Sequence, residues 1–181
     1  MALVFEEDIR RETLLGIAEK MLIAARTAPK GRGVDNLVIS MAEKDIIELI
    51  AAKMKEMAQN GVAGNFFIRD ANNILLCDAL VLIGTSINPL GLKYCGMCGF
   101  KDCEEKKMHP DHPCAFNTGD LGIAIGSAVS VAMEARVDNR VMFSVGMAAR
   151  ELKLLGDEVK IVYGIPLSSS GKNPFFDRKQ A

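Results

Sequence analysis

The chain has 181 residues, 49% of them hydrophobic and 25% charged, which excludes disordered and collagen-like classes and leaves length for a real core. Twenty-two Lys and Arg against 23 Asp and Glu leave a net charge of −1, no footprint for nucleic acid or an acidic membrane surface. Five cysteines are far too few for a disulfide scaffold, and eight Phe, two Tyr and no Trp imply an aliphatic core.

The opening Met1-Ala-Leu-Val-Phe-Glu-Glu-Asp8 lacks the basic start and apolar run of a secretory signal. Leu121 to Met133 is an uncharged apolar run of thirteen residues, short of the roughly 20 a membrane span needs. The expectation is a cytoplasmic protein, where clustered cysteines point to metal or redox work.

Residues 5–26 predict a helix: Leu14, Ile17, Ala18, Met21, Leu22 and Ala25 recur at helical spacing, and Pro29 and Gly31 end it. Leu37 to Ile39 reads as a short strand. Ser40 with Glu43 three residues on is a capping-box pattern, opening a second helix with Ile46, Ile47, Ile50, Met54 and Met57 inward and Asn60-Gly61 at its end. Residues 65–77 fit no single element. Ala79 to Ile83 is a continuous apolar run, suited to a strand covered on both faces.

Residues 86–116 hold four of the five cysteines, both histidines and three of the six prolines, with little periodicity, and read as a loop-rich insert. Regular structure resumes at Asn117, whose side chain or that of Thr118 caps a helix running to about Ala135, with Asp120 in its first turn. That helix is apolar nearly all round, so it belongs in the core or between subunits, and Gly122 and Gly126 permit close backbone approach. Arg136 to Arg140 is a polar break in which Asp138 and Arg140 are expected to form a local salt bridge. Val141 to Val145 reads as a strand, Met147 to Leu155 as a helix stopped by Gly156, and Val159 to Ile165 as a last strand. The order predicts an α+β fold, a small mixed sheet flanked by helices.

Cys95, Cys98, Cys103 and Cys114 are spaced C-x2-C-x4-C-x10-C. Four thiolates are what a zinc ion or an iron–sulfur cluster requires. Gly96 and Gly99 let the backbone wrap closely around a bulky inorganic core and aim amides at it. Structural zinc, with His109 or His112 as a substitute ligand, and unliganded thiols are the competing readings; unless they are ligands, both histidines are surface residues of the insert. Cys77 stands apart and reads as a small buried hydrophobe. The Cys-Gly-x-Cys-Gly-x-x-x-Cys run and its later cysteine resemble the small iron–sulfur module of membrane electron-transport complexes and corrinoid iron–sulfur proteins. That resemblance covers about residues 91–114, with the fourth cysteine arriving sooner here, and it implies a [4Fe–4S] cluster.

The remainder resembles the FMN-dependent nitroreductase family, through Ala24-Ala-Arg-Thr-Ala-Pro29, Asp120-Leu-Gly-Ile-Ala-Ile125, Leu154-Leu-Gly156 and Gly164-Ile-Pro166. Nearly the full chain is also similar to an uncharacterised prokaryotic family described as containing a ferredoxin domain. The shared blocks are Ala28-Pro-Lys-Gly-Arg-Gly-Val-Asp-Asn36, the Cys-Gly-x-Cys-Gly block, Arg136-Val-Asp-Asn-Arg-Val141 and Gly171-Lys-Asn-Pro-Phe-Phe176. These resemblances imply a nitroreductase-like domain over residues 1–85 and 117–181, interrupted by the iron–sulfur segment 86–116. They also imply a homodimer with FMN at its interface. Arg26, Lys30 and Arg32 around Pro29, with Lys172 and Arg178 in the tail, are then phosphate partners, and Asn36 bonds a ring edge. The same basic residues also read as a solvated rim with helix-end charges. The Arg-Arg-Ser-x-Arg and Asn-x-Gln-Pro-Trp motifs of the nitroreductases are absent.

Ser169-Ser-Gly-Lys172 is not a phosphate loop, since Pro166 and Asn173 occupy the positions that need Gly and Ser or Thr. No Gly-x-Gly-x-x-Gly follows a strand, which leaves a Rossmann site without support. The expected function is iron–sulfur electron transfer, to a redox partner protein or through flavin-assisted reduction of a small-molecule substrate. The alternative is a binding module that a zinc ion or cluster merely staples.

Overall fold

The computed structural model describes residues 3–176. Four strands, β1 (Leu37–Ala42), β2 (Ala79–Ser86), β3 (Asp138–Asn139) and β4 (Val159–Ser168), form one sheet in the order β1-β2-β4-β3. Six helices surround it: α1 (Glu6–Thr27), α2 (Lys44–Gln59), α3 (Phe66–Ile74), α4 (Cys103–Lys107), α5 (Ala115–Glu134) and α6 (Phe143–Glu151). The α+β class stands as expected, but the ladders are antiparallel throughout rather than mixed.

Strand β2 explains the layering. Its side chains alternate, with Ala79, Val81 and Ile83 facing one way and Leu80 and Leu82 the other, and all five are buried. The first set packs under α1 and α5, against Leu14, Ala18, Met21, Leu121, Ala124 and Ala128. The second packs under α2, α3 and α6, against Ile50, Met54, Phe67, Ile74, Val145 and Ala148. A strand covered on both faces needs an unbroken apolar run.

Several local expectations give way to tertiary pairing. Ser40 does not cap α2: it lies inside β1 opposite Leu82, and Glu43 precedes the helix without a side-chain cap. Residues 65–77 supply α3, buried on Phe67, Ala71 and Ile74. The long helix starts two residues earlier than Asn117, behind Cys114 as its N-cap residue, so neither Asn117 nor Thr118 caps it. Val141 to Val145 is no strand. Met142 makes a single bridge to Gly164, and α6 begins at once. Gly146 seats that helix on β4, where a Cβ would lie 1.7 Å from the Val162 carbonyl oxygen. Asp138 and Arg140 form no salt bridge; Arg140 Nη1 donates to the Phe175 carbonyl instead, and Asp138 Oδ2 is buried without a partner.

Helix α5 is buried on one side only. Leu121, Ala124, Ala128 and Ala132 face the core, whereas Gly122, Ile123, Gly126 and Met133 face outward. Among the described residues, no helix is long and apolar enough to cross a membrane.

Candidate functional site

One end of the sheet gathers the end of α1, the loop before β1, the end of β2 and the start of α5. The loop is tied down residue by residue. Lys30 turns back to cap α1, its Nζ donating to the carbonyls of Ala25, Arg26 and Ala28 at 3.3, 2.6 and 2.7 Å. Arg26 Nη1 donates to Asp35 Oδ2 at 2.6 Å and to the Leu37 carbonyl at 3.1 Å. Burial alone would raise the Asp35 carboxyl; the Arg26 hydrogen bond, the Leu37 amide and the charges of Arg26 and Lys30 hold it below its ordinary value. Arg32, in a left-handed conformation at φ 56°, donates to the Leu90 carbonyl at 2.7 Å and thereby ties the loop to the insert.

A chain of amides completes the junction. Asn88 Nδ2 donates to Asn36 Oδ1 at 3.1 Å, and the buried Asn117 clasps the Asn88 backbone, accepting at 2.8 Å and donating at 3.1 Å. Asn36 Nδ2 is buried and unpartnered. Asn88 carried no motif in the sequence and Asn117 only the expectation of a helix cap; the roles of both arise only when β2 and α5 meet.

Pro29, Lys30, Arg32 and Asn36 therefore share one loop, with Arg26 beside it in the last turn of α1. Lys172 does not join them: it follows β4 beyond Ser168, at the far end of the sheet. Arg178 lies outside the described residues. For a flavin, the fit is partial. Asn36 has an unsatisfied donor and the exposed Arg26 and Arg32 have donors to spare, but Lys30 is almost wholly engaged by the chain itself.

The insert is more ordered than its composition suggested. Asp102 Oδ1 caps α4 through the amides of Glu104 and Glu105 at 3.0 and 2.9 Å, and Glu105 Oε2 accepts from the Lys101 amide at 2.6 Å. Asp102 with Glu105 three residues on was the available signal for this helix. Gly96 and Gly99 adopt positive φ, 70° and 88°, and Gly99 N closes a turn on Gly96 O at 3.0 Å. Exposed His109 stacks on Phe100, with ring centroids 4.8 Å apart, and His112 meets both edge-on.

Cys103 opens α4 and Cys114 precedes α5, both buried; Cys95 and Cys98 lie half-buried on the loop. None is in a disulfide. Cys77 packs at the margin of the α2–α3–α6 core, where burial pushes its thiol up to about 12, an inert cysteine as expected.

In donor chemistry and charge, the segment suits a thiolate-bound cluster. It offers four unpaired thiols and one fully buried ammonium, Lys106, whose Nζ donates to the His109 carbonyl at 2.9 Å and has no carboxylate partner. As placed, the thiols are not gathered: among the described residues, no three His, Cys, Asp or Glu side chains form a group that would hold a metal ion. Beside the insert's end, a cavity of about 480 Å³ opens between Asp111 and Pro113 and the α6–β4 turn at Lys153 to Asp157.

The family described as "uncharacterized protein containing a ferredoxin domain" matches residues 111–178, a stretch that includes Cys114 but not the three earlier cysteines of the insert. A protein of Archaeoglobus fulgidus, itself described as uncharacterized, is 40% identical over 185 residues, covering 97% of each chain. Among the solved structures that share the fold are two flavin proteins. A BluB-like flavoprotein from Clostridium difficile 630 covers 92% of this chain and 83% of its own at 20% identity, with a TM-score of 0.55. A nitroreductase with bound FMN from Desulfitobacterium hafniense covers 87% and 78% at 12% identity, with a TM-score of 0.59.

Proposed function

This chain belongs to the family of uncharacterised proteins containing a ferredoxin domain and has a nitroreductase-like fold, and from that premise we infer that it is an iron–sulfur redox protein of the cell interior. Cys95, Cys98, Cys103 and Cys114 are the ligands of a [4Fe–4S] cluster. The observation that carries this reading is the donor set: four unpaired thiols on one short segment, two of them buried at the starts of α4 and α5. The cluster, when bound, supplies one-electron transfer. The chain's part is to hold the thiols and join the insert to the Pro29–Asn36 loop through Arg32, Asn88 and Asn117.

That loop is the acceptor site, for FMN or a small substrate. The unsatisfied Asn36 amide supports it, being a donor that an acceptor atom on a flavin ring edge would satisfy. Bound there, FMN would convert single-electron traffic into two-electron reduction of a small molecule. The outward face of α5, with Gly122, Ile123, Gly126 and Met133, is the homodimer contact, because it is uncharged and uncovered within one chain.

Oxygen-free purification tests the reading directly. A brown protein containing iron and acid-labile sulfide is expected, and a yellow chromophore released on heating identifies the flavin. A colourless protein with one zinc per chain would overturn the redox function and leave a metal-stapled binding module. Failure to take up added FMN would remove the acceptor site alone.

A further inference from the structure

We propose that the cavity of about 480 Å³ between the end of the insert and the α6–β4 turn is a binding site for a small organic acid, with an apolar body and a carboxylate or phosphate headgroup. No residue of the Pro29–Asn36 loop and no cysteine lines it, so the site stands apart from both the acceptor loop and the cluster reading.

The space comes from how two elements end. The β2–β4 ladder stops at Ser86 and Val159, just after a register shift between Thr85 and Ser86. Helix α6 stops at Glu151, and Gly156, at φ 98°, carries the turn that leads back into β4. Pro113 of the insert borders the opposite side. The floor is Ile87, Val159 and Ile161, buried or half-buried, beneath an exposed charged rim. A cavity of this size falls within the range of small-molecule sites, and an apolar floor favours a ligand whose body leaves water there.

The rim decides the ligand's charge. Three cations, Arg150, Lys153 and Lys160, face two carboxylates, Asp111 and Asp157, which leaves one positive charge. Lys153 Nζ and Asp157 Oδ1 pair at 2.8 Å and cancel. That hydrogen bond, the Lys153 charge and, more weakly, the Lys160 charge hold the Asp157 carboxyl below its ordinary value, so the pair stays ionised and closed. Lys160 Nζ donates to the Asp157 carbonyl at 3.2 Å and has no ion pair among the described residues. Arg150 commits Nη2 to Glu151 at 3.1 Å, which leaves most of its N–H donors unused. Against these two cations stands Asp111 on the insert. An oxyanion accepts charge-assisted hydrogen bonds from an ammonium and a guanidinium together, whereas an amine would meet two like charges.

Fluorine NMR tests this with three probes built on one ring: 4-fluorobenzoate, 4-fluorophenyl phosphate and 4-fluorobenzylamine. Each is titrated with the whole protein as purified, then with Arg150→Gln, Lys160→Gln, Asp111→Asn and, as a control outside the cavity, Lys107→Gln. All four side chains are exposed, so melting points should stay near wild type. At least one of the two acids should bind saturably, and the amine should not. Arg150→Gln and Lys160→Gln together should weaken the acid about tenfold. Asp111→Asn should tighten it, Lys107→Gln should leave it unchanged, and Lys160→Arg, which retains charge, should stay close to wild type. Tighter binding of one acid than of the other supports the site and identifies its headgroup. Binding of the amine as tightly as the acids would overturn the assignment, as would acid affinities untouched by Arg150→Gln and Lys160→Gln, or no saturable binding of either acid. A protein that takes up no iron and still binds the acids would leave this site standing while sinking the cluster reading.

Discussion

The buried Asp120 carboxylate accepts the Gly31 amide with both oxygens, at 3.0 and 3.1 Å, joining the second turn of α5 to the loop after α1 across 89 residues of sequence. A Cβ at Gly31 would lie 2.7 Å from Leu90 Cδ1 and 2.9 Å from Phe116 Cδ1, so a larger residue requires those side chains to shift. Asp120→Ala leaves the Gly31 amide unpaired, a loss of about 1–3 kcal/mol. For a chain of this size, each kcal/mol lowers the melting point by roughly 2–4 °C. Asp120→Asn retains one acceptor oxygen and should lose less. Thermal melts of the two variants check this; equal and negligible losses would show that the loop does not depend on Asp120.

Acid should loosen the same loop from its other end. Asp35 titrates below its ordinary value when folded, so the stability it contributes is present above the unfolded carboxyl pKa of about 3.9 and disappears as pH falls through the lower folded value. Because its pair with Arg26 is partly exposed, that contribution is about 0–1 kcal/mol. Urea unfolding of wild type and Asp35→Asn at pH 3 to 6 should show wild type ahead near pH 6 and the two converging in acid. A gap that widened toward pH 3 would contradict the assigned direction.

Elements covered on both faces were legible from the sequence, and elements decided by pairing were not. Ala79 to Ile83 announces β2 because both helical layers demand apolar residues there. Ser40 carried a sound capping pattern, yet the ladder opposite Leu82 holds it in a strand. Val141 and Met142 have strand-like composition, but only Met142 finds a bridge, and Gly146 lets α6 settle onto β4. The cysteine spacing drew attention to the insert, whereas the burial of Lys106 depends on how α4 packs. Nothing in its neighbours along the chain separates it from the exposed Lys107.

Two helical glycines should respond in opposite ways. At Gly146 a Cβ would lie 1.7 Å from the Val162 carbonyl oxygen and 2.3 Å from its carbon, both backbone atoms. Gly146→Ala must push α6 off β4, and overpacking of this kind costs about 1–3 kcal/mol or more where backbone has to move. Gly126 has nothing within 4 Å of its Cβ position, so tight packing inside one chain does not account for it. In an isolated chain, Gly126→Ala should stabilise α5 by about 0.5–1 kcal/mol, since Gly is the more flexible residue. If Gly126 meets α5 of a second copy, Gly126→Leu should leave the fold intact and shift dimer toward monomer in sedimentation equilibrium. A Gly126→Leu protein that dimerises like wild type would exclude this face as the contact.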